Sequence, residues 1–479
     1  MNRSKRLVPP VPLDFGGEFF HYSQEAKTRN RIMLIDLASV ALVLFAAMAW
    51  GANTPWAIAV FSAGSLLVLA WRLIWDAWRG QLRLFWSWLF LPAFGLLALI
   101  GLQQLSPRVG LDAAPGSLPH TVEPHTTGLY FLLAAGYVAL GFSVVHGFRS
   151  RKQLYRLMVL VIGFGVFESL YGLVQSLGGV HYIWNVPFTD SRARGTLMNP
   201  NHYALLLNLA ISVGVGYLYT LSVKLLRGRK LNLRRVLGMP DSARLAWIVV
   251  WLALIGFGVF ASLSRMGAIA MFACLGGLLA AGRLAEGGKL RTVIVFSVLF
   301  AIVGLGLYAG VEGLLERYAI LAQFGERDRI PIWRDAWPMV STTLWFGKGL
   351  GSFMWTFPAY ETMEPDIPAM YAHNDYLQVM AEIGIVGFAL LIWAGMVCLR
   401  TARRNLLAKD HLVRGIGLST LGVLAATAIQ EITDYSLYIP GIAAMFILLI
   451  ALNERAAHLE WESPTASLTT KAPRHENDH

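Results

Sequence analysis

The residues best suited to chemistry in this sequence are one histidine and a set of arginines. His373 opens the stretch YAHNDYLQVMAEIGIVGF (371–388), which otherwise reads as a helix entering lipid. Imidazole is the side chain best poised to take a proton near neutral pH. If the chain is helical from 374 onward, Asn374, Gln378 and Glu382 recur every four residues and line one face below that histidine. An acid a turn or two inside an apolar run is costly alone, so Glu382 should have a partner, with His373 or an arginine the expected one. Arg192 and Arg194 come just before a helix start in SRARGTLMNPNHYALLL. There Asn199-Pro200-Asn201 reads as a turn and Asn201 as the helix cap. Guanidinium forks match phosphate oxygens, and helix amides add partial positive charge, so this string is suited to an anion. Arg265, in FASLSRMGAIAM, stands alone in a tight turn between two apolar runs. A lone arginine there is best explained by a site that it faces. The chemistry is that of a proton acceptor beside a held phosphate. Glu168, inside an apolar run, reads equally as an internal hydrogen-bond partner or a site residue; Asp434, in QEITDYSLYIP, is a weaker site residue.

These residues need elements to position them, and composition says which. The chain has 479 residues, 56% hydrophobic and 14% charged, against about a quarter charged in soluble domains. Runs of about 20 apolar residues can cross the hydrocarbon core. They fall near 32–50, 54–72, 84–102, 127–146, 154–178, 202–222, 245–262, 266–283, 291–311, 376–399, 412–430 and 438–453. The expected fold is therefore an all-α polytopic membrane protein of about 12 transmembrane helices. Polar tails are expected at 1–31 and 456–479, around a membrane domain over 32–455. The first apolar run reads as a retained anchor. Cys274 and Cys398 lie far apart in apolar runs, and no metal-ligand spacing appears.

The net charge of +11 could signal nucleic acid, but its distribution argues otherwise. With the amino terminus in the cytoplasm, thirty-one of the forty Lys and Arg residues fall on the cytoplasmic side. Basic residues accumulate on the side from which they need not be translocated. Both termini are then cytoplasmic. Arg192, Arg194, Arg265, Arg329 and Arg334 face out with His373, whereas Arg108, Arg317 and Lys348 read as solvated loop charges. The outer segment 312–375 is long enough to need structure of its own. Within it, DRIPIWRDAWPMV offers Asp328 as a cap, Pro331 in a first turn, and Trp333 and Trp337 one turn apart, as in a short helix at the membrane surface.

The strings RARGTLMNPNHYALLL, SLSRMGAIAM, RIPIWRDAWPMV…GKGLGSFMWTFPAY and AHNDYLQVMAEIGIVG, in this order and spacing, resemble the O-antigen ligase and polymerase family of bacterial inner-membrane proteins. The resemblance covers about residues 190–390. It implies transfer of a glycan from undecaprenyl diphosphate to an acceptor hydroxyl at the periplasmic face, with inversion and with no metal or other cofactor. It implies that His373 is the general base or orients the acceptor, and that Arg194 and Arg265, with Arg192 near by, hold the diphosphate. Arg329 and Arg334 would contact glycan or acceptor, with Asn201, Asn374, Glu382 and Asp434 as further contacts or support. The implied partners are the lipid-linked glycan, the bilayer, and an acceptor that is a glycolipid, a polysaccharide or a glycoprotein. The chain departs from the ligase pattern where Asn374 directly follows His373 and Asp375 takes the place expected for an Asn, Ser or Gln. Ligase, polymerase and protein O-oligosaccharyltransferase thus all stay open. A transporter or flippase for the same lipid-linked glycan is the reading of another class; it would need a polar path through the bilayer, whereas the unusual charges here gather at one face.

Overall fold

A computed structural model of the chain describes residues 34–80, 82, 84–107, 118–226, 242–282, 329–362 and 369–459. The helices are α1 (Leu34–Met48), α2 (Pro55–Trp78), α3 (Phe90–Leu105), α4 (Pro124–His146), α5 (Arg151–Gly178), α6 (Pro200–Leu226), α7 (Ser242–Ala261), α8 (Arg265–Gly282), α9 (Arg329–Thr342), α10 (Asp375–Leu406), α11 (His411–Gln430) and α12 (Pro440–Leu459). Backbone polar groups in lipid must be satisfied within the segment, which selects helices for these apolar runs. Their starts carry ordinary signals. α2, α4, α6 and α12 begin on proline, whose missing N–H costs nothing at that position. Ser150 and Gln153 form a reciprocal capping box on α5, and the Asp410 carboxylate accepts the amides of Leu412 and Val413 on α11.

Among the described residues eight helices (α2, α4, α5, α6, α7, α10, α11 and α12) are long and apolar enough to cross a membrane. α1, α3 and Arg265–Gly276 of α8 are apolar but shorter. The expected span at 291–311 lies outside the described residues. Eight candidate spans thus stand among the described residues, against about twelve expected over the whole chain. α6 is the axis of the bundle: 94% of its apolar window is buried, enclosed by α11, α5, α7 and α8. α10, with 28% of its window buried, turns most of its surface outward.

Two connections carry structure that matters. Between α5 and α6, a two-residue hairpin, β1 (Tyr182–Ile183) and β2 (Val186–Pro187), pairs Tyr182 with Pro187 and Ile183 with Val186. Before α10, the expected short helix is present as α9; its expected cap, Asp328, lies outside the described residues. α9 packs on the start of α10 through a separate small core of Ala336, Met339, Val340, Phe353, Phe357, Ala372, Leu377 and Ala381.

Candidate active site

The arginine loop follows the hairpin. Arg194 is nine-tenths buried; it donates to the carboxylate of Asp190 and to the carbonyl of Met198 at 3.0 Å, with its guanidinium carbon 4.2 Å from the centre of the Phe188 ring. Arg192 donates through Nε to the Ser262 carbonyl at 2.8 Å and through Nη2 to Asn201 Oδ1 at 3.2 Å. The neighbouring amide of Ala193 bonds the Ala261 carbonyl at 3.0 Å. Those bonds fasten the loop to the α7–α8 turn, and Arg265 is the first residue of α8, just beyond it. Asn201 is therefore a partner of Arg192 and not the cap; Asn199, whose Oδ1 accepts the Asn201 amide at 2.8 Å, takes the capping place before Pro200.

Glu168 fixes this loop from below. Its Oε2 accepts the Thr196 amide at 2.9 Å and its Oε1 the Thr196 hydroxyl at 2.6 Å, with the side chain wholly buried. Of the two readings open in the sequence, the internal hydrogen bond describes this geometry. Gln175, two turns further along the same face of α5, holds the carbonyl of Gly195 at 2.8 Å and the amide of Arg194 at 3.2 Å.

The histidine side is built on the α11–α12 turn. The Asp375 amide is shared between the carbonyls of Asp434 (3.0 Å) and Glu431 (3.2 Å), and Asn374 caps α10 by accepting the Leu377 amide at 3.0 Å. His373, one residue earlier, has φ +50°, a left-handed conformation that costs a non-glycine residue about 1–3 kcal/mol and is found disproportionately at functional sites. Its ring stands edge-on to Tyr435, centroids 4.9 Å apart, and its Nδ1 is buried without a hydrogen-bond partner. Burial, then the positive charge of Arg329, pushes His373 down to about 4, against a smaller opposing pull from Asp434. The imidazole is therefore neutral at physiological pH and able to accept a proton. Arg329 donates to the Thr433 carbonyl, which seats its charge at this turn. Arg334 points elsewhere: it is exposed and bonds Asp335 at 2.9 Å and the Thr362 hydroxyl at 2.6 Å.

A second imidazole shares the site. His202, in the first turn of α6, places Nε2 3.3 Å from the Asp434 carboxylate, and its ring lies edge-on to Tyr435 at 4.7 Å. Tyr371 stacks flat on Tyr435 at 4.0 Å. Burial opposes charge on Asp434, but the His202 hydrogen bond and charge, the Tyr435 amide and Arg329 outweigh it and hold its carboxyl below the usual range. Burial, with Asp375 and Asp434 close by, instead drives Glu431 well above that range. Asp434 is thus the acid of this turn that stays ionised beside the imidazoles.

Glu382 is not paired with His373 or with an arginine, contrary to the sequence expectation. It is wholly buried. Its Oε2 accepts the Gly351 amide at 2.8 Å and the Tyr438 hydroxyl at 2.7 Å; its Oε1 accepts the Phe353 amide at 3.0 Å and Gln378 Nε2 at 3.4 Å. Two residues on, α10 breaks at Gly384 (φ +66°, ψ −172°). The freed groups are taken by the loop before α10: Ala381 and Glu382 carbonyls by the amides of Lys348 (3.1 Å) and Gly349 (2.9 Å), Ile385 and Val386 amides by the carbonyls of Leu344 (2.8 Å) and Trp345 (3.2 Å). Irregular backbone inside a membrane domain persists only when neighbouring protein satisfies it in this way. A Cβ at Gly384 would lie 2.3 Å from the Trp345 carbonyl oxygen, so glycine is required.

The two halves meet at a cavity of about 350 Å³ lined by Trp50, Asn53, Met198, Asn199, His202 and Tyr435, among others. Arg194 holds one wall through Met198, and His373 backs the other through Tyr435. The sequence expectation named the arginines and His373 but not His202, Asp190 or Tyr435, which the structure places beside them. Asp190 had a legible signal, an acid four residues before Arg194. His202 stands in the same quoted string as the arginines; Tyr435 has no signal apart from the fold.

Long apolar helices around a buried axis define a multi-pass membrane protein. Residues 248–392 match the family model described as O-antigen ligase, so this part of the chain is similar to that family. The match includes Arg265, Arg329, Arg334, His373, Asn374 and Glu382; Arg192, Arg194, Asn201 and Asp434 lie outside it. No curated protein matches the chain.

Proposed function

We propose that the protein transfers a glycan from undecaprenyl diphosphate to an acceptor hydroxyl at the periplasmic face of the inner membrane. The observation that carries this reading is the cavity shared by the arginine loop and the Tyr435–histidine cluster. Neutral His373 takes the acceptor's proton as its oxygen attacks the anomeric carbon from the face opposite the leaving group, so the centre inverts. The bond from that carbon to the diphosphate oxygen breaks, and undecaprenyl diphosphate departs. Arg194, Arg192 and Arg265 stabilise the charge that grows on the diphosphate, an effect largest in the transition state. This arginine clamp would make a divalent cation unnecessary. Arg194 must exchange its Asp190 partner for phosphate oxygens. Burial, helped by Arg329, keeps the imidazole neutral, while Glu168 and Glu382 hold the loops.

The test is reconstitution of purified protein with a lipid-linked glycan and three acceptors offered in parallel: a lipid A core, a growing polysaccharide and a protein. Glycosylation of one of them is expected in the wild type. His373→Ala at equal expression should lower turnover by about 10²–10⁴-fold, the usual contribution of a general base. Full turnover by that variant would remove His373 as the base. Movement of the lipid-linked glycan across the bilayer with no acceptor glycosylated would replace the transferase by a transporter.

A further inference from the structure

The cavity beside the arginine loop has one wall that lies outside both the resemblance and the matched segment 248–392. It comes from the turn between α1 and α2, whose Trp50 and Asn53 line the cavity. Trp50, Gly51 and Ala52 have φ of +53°, +75° and +54°. Such a run strains its non-glycine residues and persists only where the surrounding structure dictates it. Packing dictates it here. A Cβ on Gly51 would meet Ile439 Cγ2 at 2.5 Å and Leu197 Cδ2 at 3.0 Å, and both residues belong to the same cavity. The end of α1 is also tied to the neighbouring connection. The Thr196 hydroxyl reaches the Ala47 carbonyl at 3.2 Å, and the Trp184 indole donates to the Met48 carbonyl at 2.8 Å. The α1–α2 turn and the arginine loop thus make one continuous wall.

The chemistry of this wall is not that of the arginines. The described side chains lining the cavity are aromatic, apolar or amide, together with the His202 imidazole; none is Lys, Arg, Asp or Glu. Asn53 is exposed, and its side chain hydrogen-bonds Tyr371, which stacks flat on Tyr435. An amide with one such bond made keeps further donor and acceptor capacity. A diphosphate belongs with the guanidinium groups. What suits an amide beside indole and phenol rings is an uncharged ring with hydroxyls at its edge and C–H groups on its faces, which is a pyranose. A sugar carboxylate would find no cationic lysine or arginine in this lining and would approach ionised Asp434 behind His202. We propose that Trp50 and Asn53 bind the first sugar of the donor, a neutral pyranose, with the indole against its face and the amide on its hydroxyls. On the reading of this cavity as the donor site, which the proposal requires, the arginines hold the diphosphate and the α1–α2 turn selects the sugar.

The experiment measures binding apart from transfer. Full-length protein in detergent is titrated with undecaprenyl diphosphate carrying no sugar, glucose, N-acetylglucosamine or glucuronic acid, and the complexes are counted by native mass spectrometry. At least one of the two neutral sugars should raise affinity about tenfold over the bare lipid, the worth of one or two net hydrogen bonds. Glucuronic acid should raise it less. Trp50→Leu and Asn53→Ala should each cut the gain from the neutral sugar by about three- to tenfold, read as the ratio of sugar-bearing to bare lipid bound by the same variant. Asn53 is exposed and has an ordinary φ of −84°, so its variant serves where Trp50→Leu folds poorly. Equal affinity of the wild type for bare and neutral-sugar lipids overturns the proposal, as does an unchanged gain in Asn53→Ala or a gain from glucuronic acid equal to that from the neutral sugar. A neutral-sugar gain that the substitutions remove supports it even where no acceptor is glycosylated, a result that would sink the transferase alone. Glycosylation of an acceptor without any sugar-dependent binding would overturn the sugar site and leave the transferase standing.

Discussion

Glu382→Gln separates a carboxyl that fastens a loop from one that takes part in chemistry. Four donors converge on Glu382, two at each oxygen, which matches the acceptor capacity of an ionised carboxylate. Glutamine replaces one oxygen by an NH₂ group, so whichever way the amide turns, a backbone N–H of Gly351 or Phe353 faces a donor. A buried donor stranded in this way costs about 1–3 kcal/mol. Gln378, at 3.4 Å, can rotate away and adds little. Glu382→Ala strands both amides and the Tyr438 hydroxyl, for roughly 3–9 kcal/mol. Unfolding in detergent should therefore rank wild type above Glu382→Gln above Glu382→Ala. Hydrogen exchange should show lost protection at the amides of Gly351 and Phe353 before global unfolding. A Glu382→Gln variant that melts with the wild type and keeps those amides protected would refute the reasoning.

Three further outcomes follow from the same geometry. With His373 at about 4 and an unfolded value near 6.5, the unfolded chain binds the proton first; this group's contribution to stability is full above about 6.5 and is lost as pH falls towards 4. The acid limb of turnover should lie below 6.5, and Arg329→Gln should shift it upward in a pH–rate profile; no shift would remove Arg329 as a charge that helps keep the imidazole neutral. Asp190→Asn releases Arg194 for phosphate, and for a partly exposed pair worth up to about 1 kcal/mol the KM for the lipid-linked donor should fall by roughly two- to fivefold; an unchanged KM would mean that Asp190 does not compete. Gly384→Ala should destabilise the protein by about 3 kcal/mol or more, from backbone strain and the clash with the Trp345 carbonyl, as read by chemical unfolding; a smaller loss would mean that the break in α10 relaxes cheaply.

The helices were legible in the sequence because the apolar runs are long and their proline, serine and asparagine punctuation is local. α9 was legible for the same reason, from its tryptophan spacing. The break at Gly384 was not: a glycine in an apolar run looks the same whether the helix continues or stops. Only the loop at 344–349, folded against it, supplies the hydrogen bonds that make stopping affordable. Glu168 and Glu382 were recognised as needing partners, but the partners are largely main-chain amides, which every residue but proline carries. Side-chain pairing logic therefore pointed Glu382 to the wrong groups. Asn201 was misread as the cap, two positions too late, since Asn199 and Asn201 flank the same proline.

The two internal carboxyls give the site an adjustable gauge. Glu168 suspends the guanidinium loop from α5, and Glu382 suspends the segment ahead of His373 from α10. A slight tilt of one helix relative to the other would widen or narrow the gap across the cavity while each suspended segment kept its internal shape. On the proposed function, substitutions deep in the bundle would in this way retune which glycans fit.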